Sequence, residues 1–200
     1  KTLAQGSRVL LIMPFSGKIK DGRKDAEDSP YHNTTGLYIS DDAEGGPMAI
    51  TQFQTTFARD AFPCFDEPHL KANFTLSIGR HRDQVSRSNM PQTSVGVARN
   101  TSQEYVWDQY KQSVAMSTYL VAFMVSNYGF TEAFTQQGVP YRSWYTKKML
   151  NQTQYATQAG VKVMDYLQEN IFKPSYPIEK MDQIAVLDYQ SGAMENWGMM

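Results

Sequence analysis

One stretch of this sequence joins a cation-binding group to a backbone open enough for a ligand to approach: Gly192-Ala193-Met194-Glu195-Asn196-Trp197-Gly198. Its one carboxylate, Glu195, stands among small and uncharged residues between two glycines. A carboxylate so placed can hold an ammonium group, because it only accepts hydrogen bonds and attracts positive charge. On local composition alone the same residues also read as a surface turn with one exposed Glu. Two further stretches carry polar chemistry. In Thr51-Gln52-Phe53-Gln54 the amides Gln52 and Gln54 alternate, so a strand would put both on one face, either solvated or turned toward a ligand. Ala61-Phe62-Pro63-Cys64-Phe65-Asp66-Glu67-Pro68 combines prolines, aromatics and a cysteine in a rigid turn, where Asp66 and Cys64 read as structural.

Other chemistries find no support in the pattern. His32, His69 and His81 do not pair at helical spacing, and none has a Glu or Cys at ligand distance, so no metal site can be argued within the chain. There is no Gly-x-Ser-x-Gly elbow, no glycine-rich phosphate loop and no Cys-x-x-Cys. Lys+Arg number 19 against 20 Asp+Glu, which leaves no basic footprint for nucleic acid.

The elements that must position these groups are mainly strands. Ser7–Phe15, Gly36–Ser40, Met48–Phe57, Thr93–Ala98, Glu104–Asp108 and Thr118–Ser126 read as short strands with turn residues between them. Asn73–Ile78 alternates, with Phe74, Leu76 and Ile78 on one face and Asn73, Thr75 and Ser77 on the other. Asp41–Pro47 reads as a turn and Lys18–Ser29 as an exposed loop. After about Phe130 the pattern changes. Val139–Tyr145 is one more strand, Asn151 reads as an N-cap, and Gln152–Ile171 as a helix with Ala156, Gly160, Val163, Met164, Leu167 and Ile171 on one face. Ile184–Leu187 reads as a short strand leading into the glycine-bounded stretch. The fold class expected is mainly β: an antiparallel sandwich or saddle over 1–130, then the start of an α/β domain over 131–200.

One cysteine permits no disulfide framework. Four Asn-x-Ser/Thr sequons, at Asn33, Asn73, Asn100 and Asn151, take half of the eight asparagines and point to a secreted or lumenal, glycosylated surface. No apolar run is long enough to span a bilayer, and the chain, lacking an initial Met, reads as a piece of a longer protein.

The Gly-Ala-Met-Glu-Asn-Trp-Gly stretch resembles the exopeptidase motif of the M1 family of zinc aminopeptidases. The blocks at 51–54, 61–68 and Met116–Phe123 fall in that family's order, and Tyr176-Pro177 with Lys180, Asp182 and Ile184 resembles the approach to its motif. Leu187 and Tyr189 depart from it, standing where the family usually has Pro and Phe, and are expected to alter packing more than chemistry. The secreted character points within the family to animal ectoenzymes of the aminopeptidase N group, the insect midgut type among them.

The resemblance implies a β-saddle domain followed by a thermolysin-like catalytic domain that has only begun by Met200. It implies that Glu195 binds the free α-ammonium of a peptide in a closed, low-dielectric site. Gln54 and Gln52 would reach over to position the same end, and the Gly192-Ala193-Met194 backbone with Asn196 would hold the substrate as an added edge strand. One Zn2+ would be held by a His-Glu-x-x-His helix beyond this chain, so these residues alone would turn nothing over. Partners would be peptides with a free N-terminus, and membrane attachment would lie outside this chain. The alternative is a non-catalytic recognition module on a glycosylated ectoprotein, offering a receptor or antibody-binding surface. Either reading puts the molecule at the extracellular face of the plasma membrane or in the secreted fraction.

Overall fold

The computed structural model describes residues 4–22, 34–42, 46–99, 104–172, 176–187, 189 and 192–200. Its strands form three sheets. The first has five strands in the order β1 (Lys20–Asp21), β2 (Gly36–Asp42), β3 (Gly46–Gln52), β8 (Phe123–Ser126) and β5 (Val85–Ser88). The second runs β4 (Ser77–His81), β7 (Tyr105–Tyr110) and β6 (Gln92–Val97). The third runs β11 (Met181–Ile184), β10 (Pro140–Tyr145) and β9 (Gly129–Phe134). Pairing is antiparallel except for β1 with β2 and β10 with β11. One α-helix, α1 (Thr153–Asn170), crosses β9 and β10. The fold is mainly β, as expected.

Alternation places the core. Tyr38 on β2, Met48 and Ile50 on the central β3, and Met124 on β8 turn to one side and are buried. They meet Tyr128, just before β9, and Trp144 on β10 of the third sheet, so this cluster joins two sheets. Each such side chain contributes about 1.5–3 kcal/mol by leaving water. The second sheet is tied to the first by polar groups instead. The Arg80 guanidinium on β4 grips Asp108 on β7 with two bonds, of 2.6 and 3.0 Å. Ser86 on β5 donates to the same carboxylate at 2.6 Å, and a bulge in β6 aims the Gly96 amide at it at 2.8 Å. Asp108 is fully buried, so its charge requires these donors. Burial pushes its carboxyl up, but the bonds from Arg80, Ser86 and Gly96 outweigh that and hold it below its ordinary value.

Several expectations are corrected. Ser7–Phe15 is irregular rather than a strand, and Leu10, Leu11 and Ile12 are exposed; an apolar run becomes a strand only beside a pairing edge, and none of the described residues offers it one. Thr118–Leu120 is a 3-10 turn, and only Phe123–Ser126 pairs. The strand before the motif is Met181–Ile184, three residues earlier than the apolar pattern suggested. The alternation at 73–78 holds, although regular pairing begins only at Ser77. Most of the Lys18–Ser29 loop and the tip of the hairpin joining β2 and β3 lie outside the described residues.

The helix forms where expected, but Asn151 does not cap it. Asn151 lies in a 3-10 turn, Lys147–Gln152, and Gln152 occupies the cap position without a side-chain bond. The inward face also differs. Met164 is buried as expected, but so are Thr153, Thr157 and Gln168, and the Thr131 hydroxyl of β9 bonds both Thr153 and Thr157, at 2.8 and 2.6 Å. Gly160 allows this closeness, since a Cβ there would lie 2.3 Å from the Tyr141 ring. The face carrying Val163 and Leu167 instead lines an apolar groove of about 730 Å3 with Phe172 and Met181. Among the described residues, no helix is long and apolar enough to cross a membrane.

The Asp108 knot sets an acid limit. Because its folded carboxyl titrates below the unfolded one, the stability it contributes is present above the ordinary carboxylate range and is lost as pH falls through the lower folded value. Denaturant midpoints measured from pH 7 downward should fall in this acid window for the wild type. Asp108→Asn should lose about 3–5 kcal/mol at neutral pH and show a flatter acid limb.

Candidate amine-recognition site

The four blocks that stand out in the sequence meet in space. Phe53 from the first block, Met116, Leu120 and Val121 from the third, and Met194 from the last are all buried in one apolar cluster, with Phe62 of the second packed against it. The Phe53 ring stands edge-on to Phe62 and Phe123 at 5.8 and 6.5 Å. Hydroxyls staple the second and third blocks together: Ser117 donates to the Pro68 carbonyl at 2.6 Å and Thr118 to that of Phe65 at 2.8 Å. Asp66 is structural, as expected. Its carboxylate takes the backbone amide and the Nε of Arg59 at 3.0 and 3.2 Å, closing the short turn before it. Cys64 is half-buried at the cluster's edge, and burial pushes its thiol up, away from the reactive thiolate.

The glycine-bounded stretch is anchored at both ends of its working part. Met194 is the inner anchor. The outer anchor is polar. Asn89, buried just after β5, donates to the carbonyls of Leu120 and Trp197 at 2.8 and 2.9 Å and accepts the Ala122 amide at 2.9 Å. Lys180, also buried, spends its three N–H donors on the carbonyls of Ser88 and Gly198 and on Asp182, at 2.5, 2.6 and 2.6 Å. The other Asp182 oxygen accepts the Trp144 indole at 2.8 Å. Residues 198–200 then run beside β11, with bonds of 3.0 Å from the Asp182 amide to the Gly198 carbonyl and 2.8 Å from the Met200 amide to that of Asp182. Gly198 has φ +76, and a Cβ there would lie 2.2 Å from the Asn89 carbonyl. No other residue fits there without moving the clamp.

Between these anchors lies a cavity of about 290 Å3, lined among others by Thr51, Tyr145, Tyr189, Gly192, Ala193 and Asn196. Met194 lines it as well. Four of the expected site residues, Gly192, Ala193, Met194 and Asn196, therefore share one pocket. Glu195 is exposed and stands between two of its lining residues. The expectation of a closed, low-dielectric carboxylate is thus not met by the described residues, which leave it exposed. The two glutamines also separate. Gln52 ends β3 and is buried, whereas Gln54 lies past the strand in a turn, exposed, with its backbone amide 3.4 Å from the Gln52 side-chain oxygen. They do not share a strand face, because the strand stops between them. Their neighbours Thr51 and Phe53 bind the β3 end to the site through the cavity and the cluster.

Sequence reasoning missed Asn89 and the hydroxyl of Tyr189. The Tyr189 ring packs against the cluster, while its hydroxyl is buried without a hydrogen-bond partner among the described residues. Burial, then the nearby Glu195 charge, pushes that phenol up, so it stays neutral. Of the sequon residues, Asn73 and Asn151 are exposed, the former donating to the Ser113 carbonyl at 2.7 Å, while Asn33 and Asn100 lie outside the described residues. Among the described residues no group of three His, Cys, Asp or Glu could hold a metal ion. The described residues do not fit a zinc centre.

The clamp makes a clear demand on stability. Asn89→Ala removes three buried hydrogen bonds and strands their partners, so it should cost about 2–4 kcal/mol in denaturant unfolding. Gly198→Ala should destabilise as well, through the collision at the Asn89 carbonyl.

Comparison with known proteins places the chain in a family. Residues 1–120 match the model of the peptidase M1 N-terminal domain, and residues 155–200 match that of the peptidase family M1 domain. Human endoplasmic reticulum aminopeptidase 2 is 39% identical over 190 residues, 95% of this chain and 19% of its own length. Rat endoplasmic reticulum aminopeptidase 1 is 42% identical over 198 residues, 98% of this chain and 20% of its own. Glutamyl aminopeptidase of Bitis rhinoceros is 39% identical over 170 residues, 82% of this chain and 17% of its own. The chain spans about a fifth of the length of these relatives. With an M1 N-terminal domain over more than half of its residues and the family's peptidase domain matched after it, the chain belongs to the M1 peptidase family.

Proposed function

We propose that this chain supplies the amine-recognition part of a zinc-dependent aminopeptidase that removes residues from the N-termini of peptides. The observation that carries the reading is the convergence of four separate blocks on one cluster and one cavity, with the Glu195 carboxylate beside it. An aminopeptidase must tell a terminal ammonium from an internal amide. A carboxylate does so by charge, and a charge-assisted hydrogen bond is worth about 1.5–3 kcal/mol. The exposed Glu195 would reach that strength only when further parts of the protein cover it and exclude water. In this reading Gln52 and Gln54 position the same end, and the irregular backbone at Gly192–Met194 receives the peptide as an added strand. Zinc, held by a His-Glu-x-x-His helix following these residues, would supply the activated water.

The same proposal includes a boundary between the two domains near residue 130, supported by β9 starting at Gly129 and pairing only with the third sheet. It also includes glycosylation at the sequons, membrane attachment through other regions, and an extracellular or secreted location of the aminopeptidase N type. The exposure of Asn73 and Asn151 supports the glycan part.

Glu195→Gln keeps the size and removes the charge. In the full-length protein it should cost about 2–3 kcal/mol of transition-state stabilisation, roughly 30- to 150-fold in kcat/KM on an aminoacyl-anilide. A kcat/KM within threefold of wild type would refute the assignment and favour a recognition module. Chelation of the full-length protein should abolish turnover, and added zinc should restore it.

A further inference from the structure

We propose that the Tyr189 hydroxyl, at the cavity beside which Glu195 stands, is a second acceptor for the substrate's terminal ammonium. The inference rests on the amine-recognition reading above. The first observation is burial: the phenol oxygen is shielded from water and has no hydrogen-bond partner among the described residues. A buried hydroxyl left unpaired is costly, so natural folds keep one where a ligand completes it. The second is placement. Tyr189 lines the cavity together with Gly192, Ala193 and Met194, and its ring is fixed against the cluster that holds Met194, so its position is set by packing. The third is electrostatic company. The Glu195 charge acts on this phenol, and burial keeps the phenol neutral.

These observations suit a primary ammonium. It has three N–H donors, and one carboxylate does not take all three in good geometry. A phenol oxygen offers acceptor lone pairs without adding a second negative charge beside Glu195, which two carboxylates at that spacing would do at a cost.

The test uses the full-length protein carrying Tyr189→Phe, which keeps the ring and its packing. Competitive inhibition is measured with L-leucinol, a primary amine, and with its N-methyl counterpart, which has one N–H donor fewer. Tyr189→Phe should weaken inhibition by L-leucinol about tenfold and that by the N-methyl compound less than twofold, with an unchanged thermal midpoint. It should also raise KM for an aminoacyl-anilide more than it lowers kcat. An equal loss for both amines, or no loss for either, would overturn the proposal. Glu195→Gln in parallel separates the two levels. If it collapses binding of both amines while Tyr189→Phe shows no selective loss, only the Tyr189 inference fails. If neither variant changes amine binding, the amine reading itself fails.

Discussion

The structure depends on one buried polar clamp. Asn89 and Lys180 together hold the carbonyls of Ser88, Leu120, Trp197 and Gly198, and Asp182 balances the lysine. Every donor of that ammonium is used, which is the condition under which a buried charge is tolerable. Burial nonetheless lowers the Lys180 pKa, even with Asp182 alongside. The clamp joins the end of β5, the segment before β8, β11 and the glycine-bounded stretch. It therefore couples the first half of the chain to the last ten residues, although they are about a hundred positions apart. Gly198 allows the contact, and its positive φ is part of the clamp and not a property of the loop alone.

That coupling explains why an exposed carboxylate can still be a defined one. Glu195 is exposed, but its neighbour Met194 sits in the apolar cluster and the Trp197 carbonyl is held by the clamp. The backbone on either side is fixed by packing on one side and hydrogen bonds on the other. A recognition group is most precise when rigid elements carry it. Here the rigidity comes from β3, the segment at 116–123 and β11, which pack against or bond the motif and leave the carboxylate exposed.

Much of this was legible in the sequence, for physical reasons that differ by residue. The alternation at Phe74, Leu76 and Ile78 shows a half-solvated strand because burial there follows side-chain period alone. The helix was legible from its length, but its inward face was not. Thr131, Thr153 and Thr157 form hydroxyl contacts that outweigh the apolar stripe, and no periodicity records them. Strand β5, Val-Ser-Arg-Ser, escaped because its buried positions are serines satisfied by Asp108 and by the Ala122 carbonyl. Ser7–Phe15 failed in the opposite direction: it has strand composition without a partner edge among the described residues. The motif residues were visible from type and spacing, while Asn89 acts through contacts that only the fold creates.

If this site reads the free amino end of a peptide, as proposed above, blocking that end must stop the reaction. The decisive comparison is hydrolysis of one peptide by the full-length protein with its N-terminus free and with it acetylated. Acetylation removes the positive charge and blocks the end while leaving the rest of the peptide unchanged. Turnover of the free peptide and none of the acetylated one is expected. Comparable turnover of both would overturn the amine reading.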